Sequence, residues 1–343
     1  MVKTIFTLLV FASAGLAQSS SSDGPFSAHH FQDTDFFLSP AQMRQAESLY
    51  PQAGALANSV VSSGSSFSPT IRKDVQEVNL TFTVTDHHGH FVRNLAPSDF
   101  TIHDNGELPE RVTYFEAQSG LPLRLAIVID SSASVAYAFN DEKQSAAVFL
   151  KRILRRDSDL ALIIGFNKDV RLVQELTSDK DLLSHSIRKL RSGGETAIYD
   201  AVSAASQQLA RVRETQPVRR VIILITDGED NSSHIDLEQA EEVAQRNECA
   251  VYVMSINAGI DRELERADRA MKELSEVTGG NFLRARADYG LTTAFSKIDK
   301  VLRSQYLISY KPANVRPDGS FHRLVVLGPK KLQIHHRHGY FAR

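Results

Sequence analysis

The chain has 343 residues, of which 42% are hydrophobic and 23% are charged, and this ordinary globular composition excludes a collagen-like, low-complexity or wholly disordered protein. Its 39 basic and 41 acidic residues give a formal net charge of −2, so no basic excess is available for non-specific binding of nucleic acid. The one cysteine, Cys249, excludes an intrachain disulfide. The length indicates about two domains.

The N-terminus has the pattern of a secretory signal peptide. Lys3 precedes an apolar run over residues 5–14, and the small residues Gly15 and Ala17 follow at the −3 and −1 positions of a cleavage site. The run is shorter than the roughly 20 residues of a membrane span, which leaves an uncleaved anchor or a buried strand as the alternative. We expect residues 1–17 to be removed and the mature chain to be secreted or periplasmic, with no transmembrane segment.

Residues 18–70 predict a mostly disordered, serine-rich linker. They are poor in apolar periodicity and contain serine-rich runs near both ends. One short helix is expected within them, over residues 41–50, because Ser39 can cap it and Pro40 suits its first turn.

Residues 72–118 and 306–343 both have β character and flank the centre of the chain. Apolar and polar residues alternate over 78–84, and turn-forming sequences divide each piece into short strands, the last of them predicted over 332–338. Each piece alone is too small for a stable core. We therefore predict one small, discontinuous β-sandwich, with the central domain as an insertion.

Residues 121–305 alternate between strands and helices. The predicted strands are near-continuous runs of Val, Ile and Leu, as a sheet that is buried on both faces requires. The expected fold class is α/β, with a doubly wound, mostly parallel sheet. The predicted strands cover residues 123–129, 160–166, 170–176, 221–225 and 250–256, and the predicted helices cover residues 141–155, 179–190, 197–211, 237–246, 261–277 and 291–302.

Carboxylate and hydroxyl side chains follow two of these strands and open one helix. Asp130, Ser132 and Ser134 follow the first strand, Asp227 follows the fourth, and Thr196 precedes the third helix. Because ligands of open α/β sheets bind at the carboxyl ends of the strands, we expect these side chains to converge. Oxygen donors suit Mg²⁺, Mn²⁺ or Ca²⁺ rather than Zn²⁺, so the set predicts a divalent-cation site with Mg²⁺ as the expected ion. Taken singly, each residue could be an ordinary strand cap or turn residue.

The pattern Asp-x-Ser-x-Ser over 130–134, together with Thr196 and Asp227, resembles the metal-ion-dependent adhesion site of von Willebrand factor type A (VWA) domains. The string Val-Thr-Gly-Gly at 277–280 is similar to that family as well. The resemblance covers residues 121–305. The layout of the whole chain also resembles bacterial VWA-related exported proteins of the acidobacterial type.

The resemblance implies a role for each of the five residues. The hydroxyls of Ser132, Ser134 and Thr196 would bind the cation directly. Asp130 and Asp227 would bind it directly or through water. One coordination position would stay free for an acidic residue of a protein partner.

The function expected from this reading is that of an exported binding or adhesion protein and not of an enzyme. The alternatives are a structural or assembly factor of the cell envelope and, least favoured, a Mg²⁺-dependent hydrolase. The sequence around Ser132 lacks the Gly-x-Ser-x-Gly pattern of a nucleophile elbow, and the chain lacks a phosphate-binding loop with its lysine.

Several other polar residues need an interpretation. Glu229 and Asp230 are expected to face solvent, with a role beside the cation as the alternative. Asp200 is expected to stabilise the start of the helix after Thr196 or the loop that neighbours it. Cys249 is expected to be a buried thiol. His336 and His338 would share one face of a strand and could bind a transition metal, although exposed positions on an edge strand are the favoured interpretation.

Overall fold

The computed structural model describes residues 77–117, 120–137, 139–256, 262–285, 290–314 and 316–342. These residues belong to one compact unit, Arg72–Arg343. The predicted signal peptide, the serine-rich linker and its predicted helix lie outside the described residues.

Strands and helices occur close to where the sequence pattern predicts them. The strands are β1 (Val78–Thr85), β2 (Thr101–Asp104), β3 (Arg111–Ala117), β4 (Leu123–Asp130), β5 (Leu160–Phe166), β6 (Val170–Thr177), β7 (Arg219–Thr226), β8 (Cys249–Ser255), β9 (Phe282–Arg284), β10 (Tyr306–Lys311), β11 (Phe321–Leu327), β12 (Gln333–His336) and β13 (Gly339–Phe341). The helices are α1 (Phe139–Ile153), α2 (Lys180–Arg188), α3 (Ile198–Ala210), α4 (Leu237–Arg246), α5 (Arg262–Val277) and α6 (Gly290–Leu302), with 3-10 turns at Pro97–Asp99 and Ser134–Tyr137.

The central domain is built on a six-stranded sheet with the order β6-β5-β4-β7-β8-β9. Strand β6 runs antiparallel to β5, and the other neighbours are parallel. Every residue of β4 is buried, and its alternate residues enter two separate apolar clusters: Leu125 and Ile127 lie in one, Ala126 and Val128 in the other. Helices therefore cover both faces of the sheet, and the predicted α/β fold class is confirmed.

Strands from both flanks of this domain form two antiparallel sheets. One has the order β12-β1-β10-β3 and the other has the order β13-β11-β2. Strand β10 pairs with β1 on one side, with Leu80 opposite Ile308, and with β3 on the other. Leu80, Phe82, Ile308 and Leu324 are buried in one apolar cluster shared by strands of both flanks. The two β-rich pieces of the sequence thus share one core.

The strand predicted over residues 332–338 forms as β12, and the chain then changes sheets to form β13, which was not predicted. Strand β12 pairs with β1, whereas β13 pairs with β11. Gly339 begins β13 so close to the ring of Phe321 and the carbonyl of His322 that a side chain there would collide with both. This close approach depends on residues far along the chain, so the local pattern does not indicate it. Strand β9, which extends the central sheet, was also missed.

The sandwich packs on the amino end of the central sheet through the string Val-Thr-Gly-Gly. His338 donates its amide hydrogen to the carbonyl of Val277 at 3.1 Å. A side chain at Gly280 would collide with the carbonyl of Val251, and one at Gly279 would meet the backbone of Arg337. In the part of the chain that is described, no helix is long and apolar enough to cross a membrane.

Candidate functional site

Asp130 ends the central strand β4 and is fully buried, with 0% of its surface exposed. Its carboxylate accepts the amide hydrogen of Ser132 at 2.8 Å and the hydroxyl of Thr226, the last residue of β7, at 2.7 Å. The hydroxyl oxygens of Ser132 and Ser134 lie 3.0 Å apart. The first three predicted site residues therefore lie together, in a geometry fixed by two adjacent strands.

The loop that carries Thr196 lies against the loop that follows β4. Gly193 and Gly194 both adopt positive φ, at 144° and 97°, which a residue with a side chain rarely does. This backbone path lets the amide of Gly193 donate to the carbonyl of Ser131 at 2.7 Å, and the amide of Ala133 donate to the carbonyl of Gly194 at 3.0 Å. Thr196 is 3% exposed beside this junction.

Asp230 connects the same loop to the end of β7, so its predicted exposure to solvent is wrong. Helix α3 has Ala197 at its N-cap position, which offers no side-chain oxygen, and the carboxylate of Asp230 accepts the amide hydrogen of Ile198 at 2.7 Å instead. Asn231 accepts the amide hydrogen of Thr196 through its side chain at 2.9 Å. The loop after β7 thus holds Thr196 in place.

Asp227 lies between these contacts and is half-buried. Its Oδ1 atom is buried and has no hydrogen-bond partner among the described residues. Burial, and to a smaller degree the charge of Asp227, raises the pKa of Asp130 to about 6 despite the hydrogen bonds that Asp130 accepts from Ser132 and Thr226. The charges of Asp130 and Asp227 therefore repel each other.

The family model of the von Willebrand factor type A domain matches residues 125–290, which include the whole site. The chain contains a VWA domain. Two curated relatives align with it: an uncharacterized protein of Borreliella burgdorferi, 24% identical over 200 residues, and calcium-activated chloride channel regulator 1 of Bos taurus, 27% identical over 184 residues. Each alignment covers 51% of this chain, but only 58% and 19% of those two proteins.

Solved structures similar to this chain include a von Willebrand factor type A protein from Catenulispora acidiphila, with a TM-score of 0.46, 13% identity, and coverage of 77% of this chain and 73% of that one. BatB from Bacteroides thetaiotaomicron gives a TM-score of 0.42 and 20% identity, and the alignment covers 52% of this chain and 98% of the other. The vWF domain of the type V pili tip protein Mfa5 from Porphyromonas gingivalis gives a TM-score of 0.44 and 14% identity. That alignment covers 52% of this chain and 94% of the other.

Glu142 is a buried acidic residue within electrostatic range of Asp130 and Asp227, and sequence reasoning missed it. It lies in the first turn of α1 and is 0% exposed, and both of its carboxylate oxygens are buried without a partner in the described ranges. Burial, followed by the charges of Asp130 and Asp227, raises its pKa to about 8. The helical period was the available signal, because Glu142 lies three residues after Phe139 and four before Ala146 on the apolar face.

Tyr137 lies at the rim of the site and is 65% exposed. Its hydroxyl donates to the carbonyl of Ile256 at 3.1 Å, at the end of β8. Partial burial raises the pKa of Tyr137, and the charges of Glu142 and Asp227 raise it further. An exposed aromatic ring therefore lies within electrostatic range of the carboxyl groups.

The remaining polar residues of the VWA domain and the sandwich have structural contacts. Asp200 accepts amide hydrogens from His234 and Ile235 and so holds the loop before α4, as predicted. Cys249 is buried, as predicted. His336 is half-buried and not exposed as predicted; burial lowers its pKa to about 4, and its Nδ1 atom lies 2.6 Å from the carbonyl of Arg337. The described residues contain no group of three or more His, Cys, Asp or Glu side chains arranged for a metal ion.

Proposed function

We propose that the VWA domain binds a divalent cation, Mg²⁺ above all, at the carboxyl ends of β4 and β7, and recognises an acidic residue of a protein partner through it. The proposed ligands are the five residues predicted from the sequence: Asp130, Ser132, Ser134, Thr196 and Asp227. The observation that carries the proposal is the buried, unpartnered Oδ1 atom of Asp227 beside the buried carboxyl of Asp130.

The chemistry of these donors fits a hard cation. Only oxygen atoms are offered, from two carboxyl and three hydroxyl groups, and such a set favours Mg²⁺, Mn²⁺ or Ca²⁺ over softer metals. A cation between Asp130 and Asp227 would offset their mutual repulsion and satisfy the unpartnered oxygen. A site with only two carboxylates and several hydroxyls does not need the group of three acidic or imidazole ligands that many metal centres have.

The hydroxyl ligands also explain how a partner would be recognised. Neutral hydroxyls leave much of the cation's positive charge uncompensated, so a carboxylate from outside is attracted to it. Ser134 is exposed and Asp227 is half-buried, which leaves the site open on one side. The ring of Tyr137 beside this opening offers an apolar contact to the residues that flank the partner's acidic side chain.

The cellular setting is a second part of the proposal. The signal-peptide pattern supports a secreted or periplasmic protein whose partner lies in the bacterial envelope or outside the cell. A cation-independent structural or assembly role is the alternative. Pull-downs from envelope extracts with and without EDTA separate the two, because the adhesion mechanism requires EDTA to release the partner.

The cation site itself is tested by melting the protein during titration with Mg²⁺. A ligand that binds only the folded state stabilises it by about 2.7 kcal/mol at one hundred times its dissociation constant, so the wild-type melting temperature should rise with Mg²⁺. Asp130→Ala should abolish the rise. Glu229→Ala, which removes an exposed acid two residues from Asp227, is the matched control and should keep it. An equal rise in the wild type and in Asp130→Ala would refute the site.

A further inference from the structure

Buried carboxyl groups in this protein have protein donors, with few exceptions in the described part of the chain. Asp159 accepts the amide of Leu123 at 2.9 Å, and Asp268 accepts the hydroxyl of Ser255 at 2.7 Å. Glu142 differs, because both of its oxygens are buried and neither has a described donor. An unpaired buried acid is costly, so a native structure that keeps one usually has a reason outside its own hydrogen bonds.

The position of Glu142 indicates what that reason is. Helix α1 begins directly after the Ser134–Tyr137 turn, so its first turn follows the loop that carries the predicted cation ligands. The charges that act on Glu142 are those of Asp130, Asp227 and its neighbour Asp141. All of them are negative. Glu142 is therefore a buried acid within electrostatic range of Asp130 and Asp227, and among the described residues no positive side chain acts on it to any marked extent.

We propose that Glu142, which lies within electrostatic range of the cation site without being one of its ligands, strengthens the binding of the cation through its negative charge and favours ions of higher charge. This inference rests on the proposed function. It adds to the five predicted ligands a supporting residue that the Asp-x-Ser-x-Ser pattern does not include. It also explains why an acid occupies the apolar face of α1, where an alanine or leucine would pack at lower cost.

The raised pKa of Glu142 is consistent with this role. With a pKa of about 8, the carboxyl group is mostly protonated at neutral pH in the cation-free protein, which reduces the cost of burying it. A bound cation favours the ionised form. The groups that face Glu142 through charge are Asp130, Asp227, Asp141 and the phenol of Tyr137.

The test compares Glu142→Gln with Glu241→Gln by calorimetric titration with Mg²⁺ and Tb³⁺ at a pH above 8. Glu241 is a matched control, because it also has an unpartnered buried oxygen and a pKa raised to about 8. The charges that act on it are those of Glu273 in α5 and Glu238 in α4, and not those of the proposed cation ligands. Glu142→Gln keeps the shape of the side chain and removes its charge.

We expect Glu142→Gln to weaken Mg²⁺ binding by about 10- to 100-fold, the range seen when residues that support a metal site are replaced. Because Coulomb energy is proportional to the charge of the ion, the logarithm of the loss should be about 1.5 times larger for Tb³⁺ than for Mg²⁺. Glu241→Gln should leave both affinities within about twofold of the wild type. Glu142→Asp, which keeps the charge, should retain more affinity than Glu142→Gln and provides a second test if the glutamine variant does not fold.

The possible failures are distinguishable. A wild-type protein that binds neither ion overturns the proposed function, and this inference with it. Wild type and Glu142→Gln binding Mg²⁺ equally tightly overturns this inference alone. Equal losses for the two ions, or an equal loss in Glu241→Gln, would assign the effect to packing and not to charge, which also overturns the inference.

Discussion

The sandwich and the VWA domain each bury acidic side chains, but they treat them differently. In the sandwich, Asp104 is buried and accepts hydrogen bonds from the hydroxyls of Tyr310 at 2.9 Å and Tyr340 at 2.7 Å, and its other oxygen lies 2.7 Å from Nδ1 of His322. At the rim of the VWA domain, Asp227 has a buried oxygen without a described donor, and Glu142 has two. The sandwich acid is satisfied by the protein itself, whereas the rim acids are not.

The same contrast is present at the two ends of strand β4. Beside its amino end, Asp159 is buried, but hydrogen bonds from Arg155 and from the amide of Leu123 outweigh that burial and lower its pKa. At its carboxyl end, Asp130 has a pKa raised to about 6. At the amino end of the strand an arginine is paired with the buried acid. At the carboxyl end no described cationic side chain is paired with Asp130. Pairing with an arginine therefore distinguishes Asp159, which holds the fold together, from Asp130, which accepts hydrogen bonds but has no cationic partner among the described residues.

The largest expected effect concerns the strands that join the two flanks. Deleting residues 306–343 removes β10, which lies between β1 and β3, and also removes β11, the partner of β2. Residues 77–117 should then lose most of their protection from amide hydrogen exchange, because their sheet partners and most of their core are gone. Unchanged exchange in these residues would contradict a shared core.

The next largest effect is expected at Asp104, the buried acid of the sandwich that is satisfied by the protein's own hydrogen bonds. Asp104→Ala leaves two tyrosine hydroxyls and a histidine without their acceptor, and should lower the free energy of unfolding by about 3–5 kcal/mol. Denaturant titration should give the same loss in EDTA and in Mg²⁺. Tyr340→Phe, which removes one donor, should cost about 1 kcal/mol. A loss that depended on Mg²⁺ would mean that the sandwich acid also serves the cation.

The third effect is a pH dependence of stability in the absence of divalent cations. The pKa of Glu142 is raised from 4.5 to about 8 in the folded protein, so the folded state holds a proton that the unfolded state releases between these values. Stability from this group is complete below pH about 4.5 and is lost as the pH rises through about 8. Glu142→Gln should flatten that decline and exceed the wild type in stability above pH 8 in EDTA.

Glu241 provides the comparison for this measurement. Its pKa is also raised to about 8, so Glu241→Gln should flatten the pH dependence in the same direction. Saturating Mg²⁺ should reverse the advantage of Glu142→Gln, because the wild type then gains from binding, but should leave that of Glu241→Gln unchanged. Denaturant midpoints measured across this pH range, with EDTA or Mg²⁺, compare the stability of the two variants with that of the wild type. The same response to Mg²⁺ in both variants would contradict an effect of the Glu142 charge on the bound cation.

The sequence was sufficient to predict the features that depend on local periodicity and on strand ends. The apolar run of β4 predicts a strand buried on both faces, and the polar residues after it and after β7 had to meet because parallel strands end at one edge. Asp230 was misread because it caps a helix that begins more than 30 residues earlier, which no local pattern indicates. Glu142 was missed because the Asp-x-Ser-x-Ser pattern does not include it, although its helical phase placed it among apolar residues.

The smallest expected effect concerns Tyr137, which separates binding of the cation from binding of the partner. The side chain is 65% exposed and its one described hydrogen bond is to the carbonyl of Ile256, so Tyr137→Ala should change the free energy of unfolding by no more than about 0.5–1 kcal/mol. The affinity for Mg²⁺ should stay the same, because the ring supplies no proposed ligand. Capture of a partner from envelope extract in Mg²⁺ should nevertheless weaken, because tyrosines that become buried against a partner are enriched among the few residues that contribute most of the binding energy. Tyr137→Phe, which keeps the ring, should bind the partner nearly as well as the wild type. If Tyr137→Ala retained full capture, the partner would be held through the cation alone, and the rim of the VWA domain would have no part in recognition.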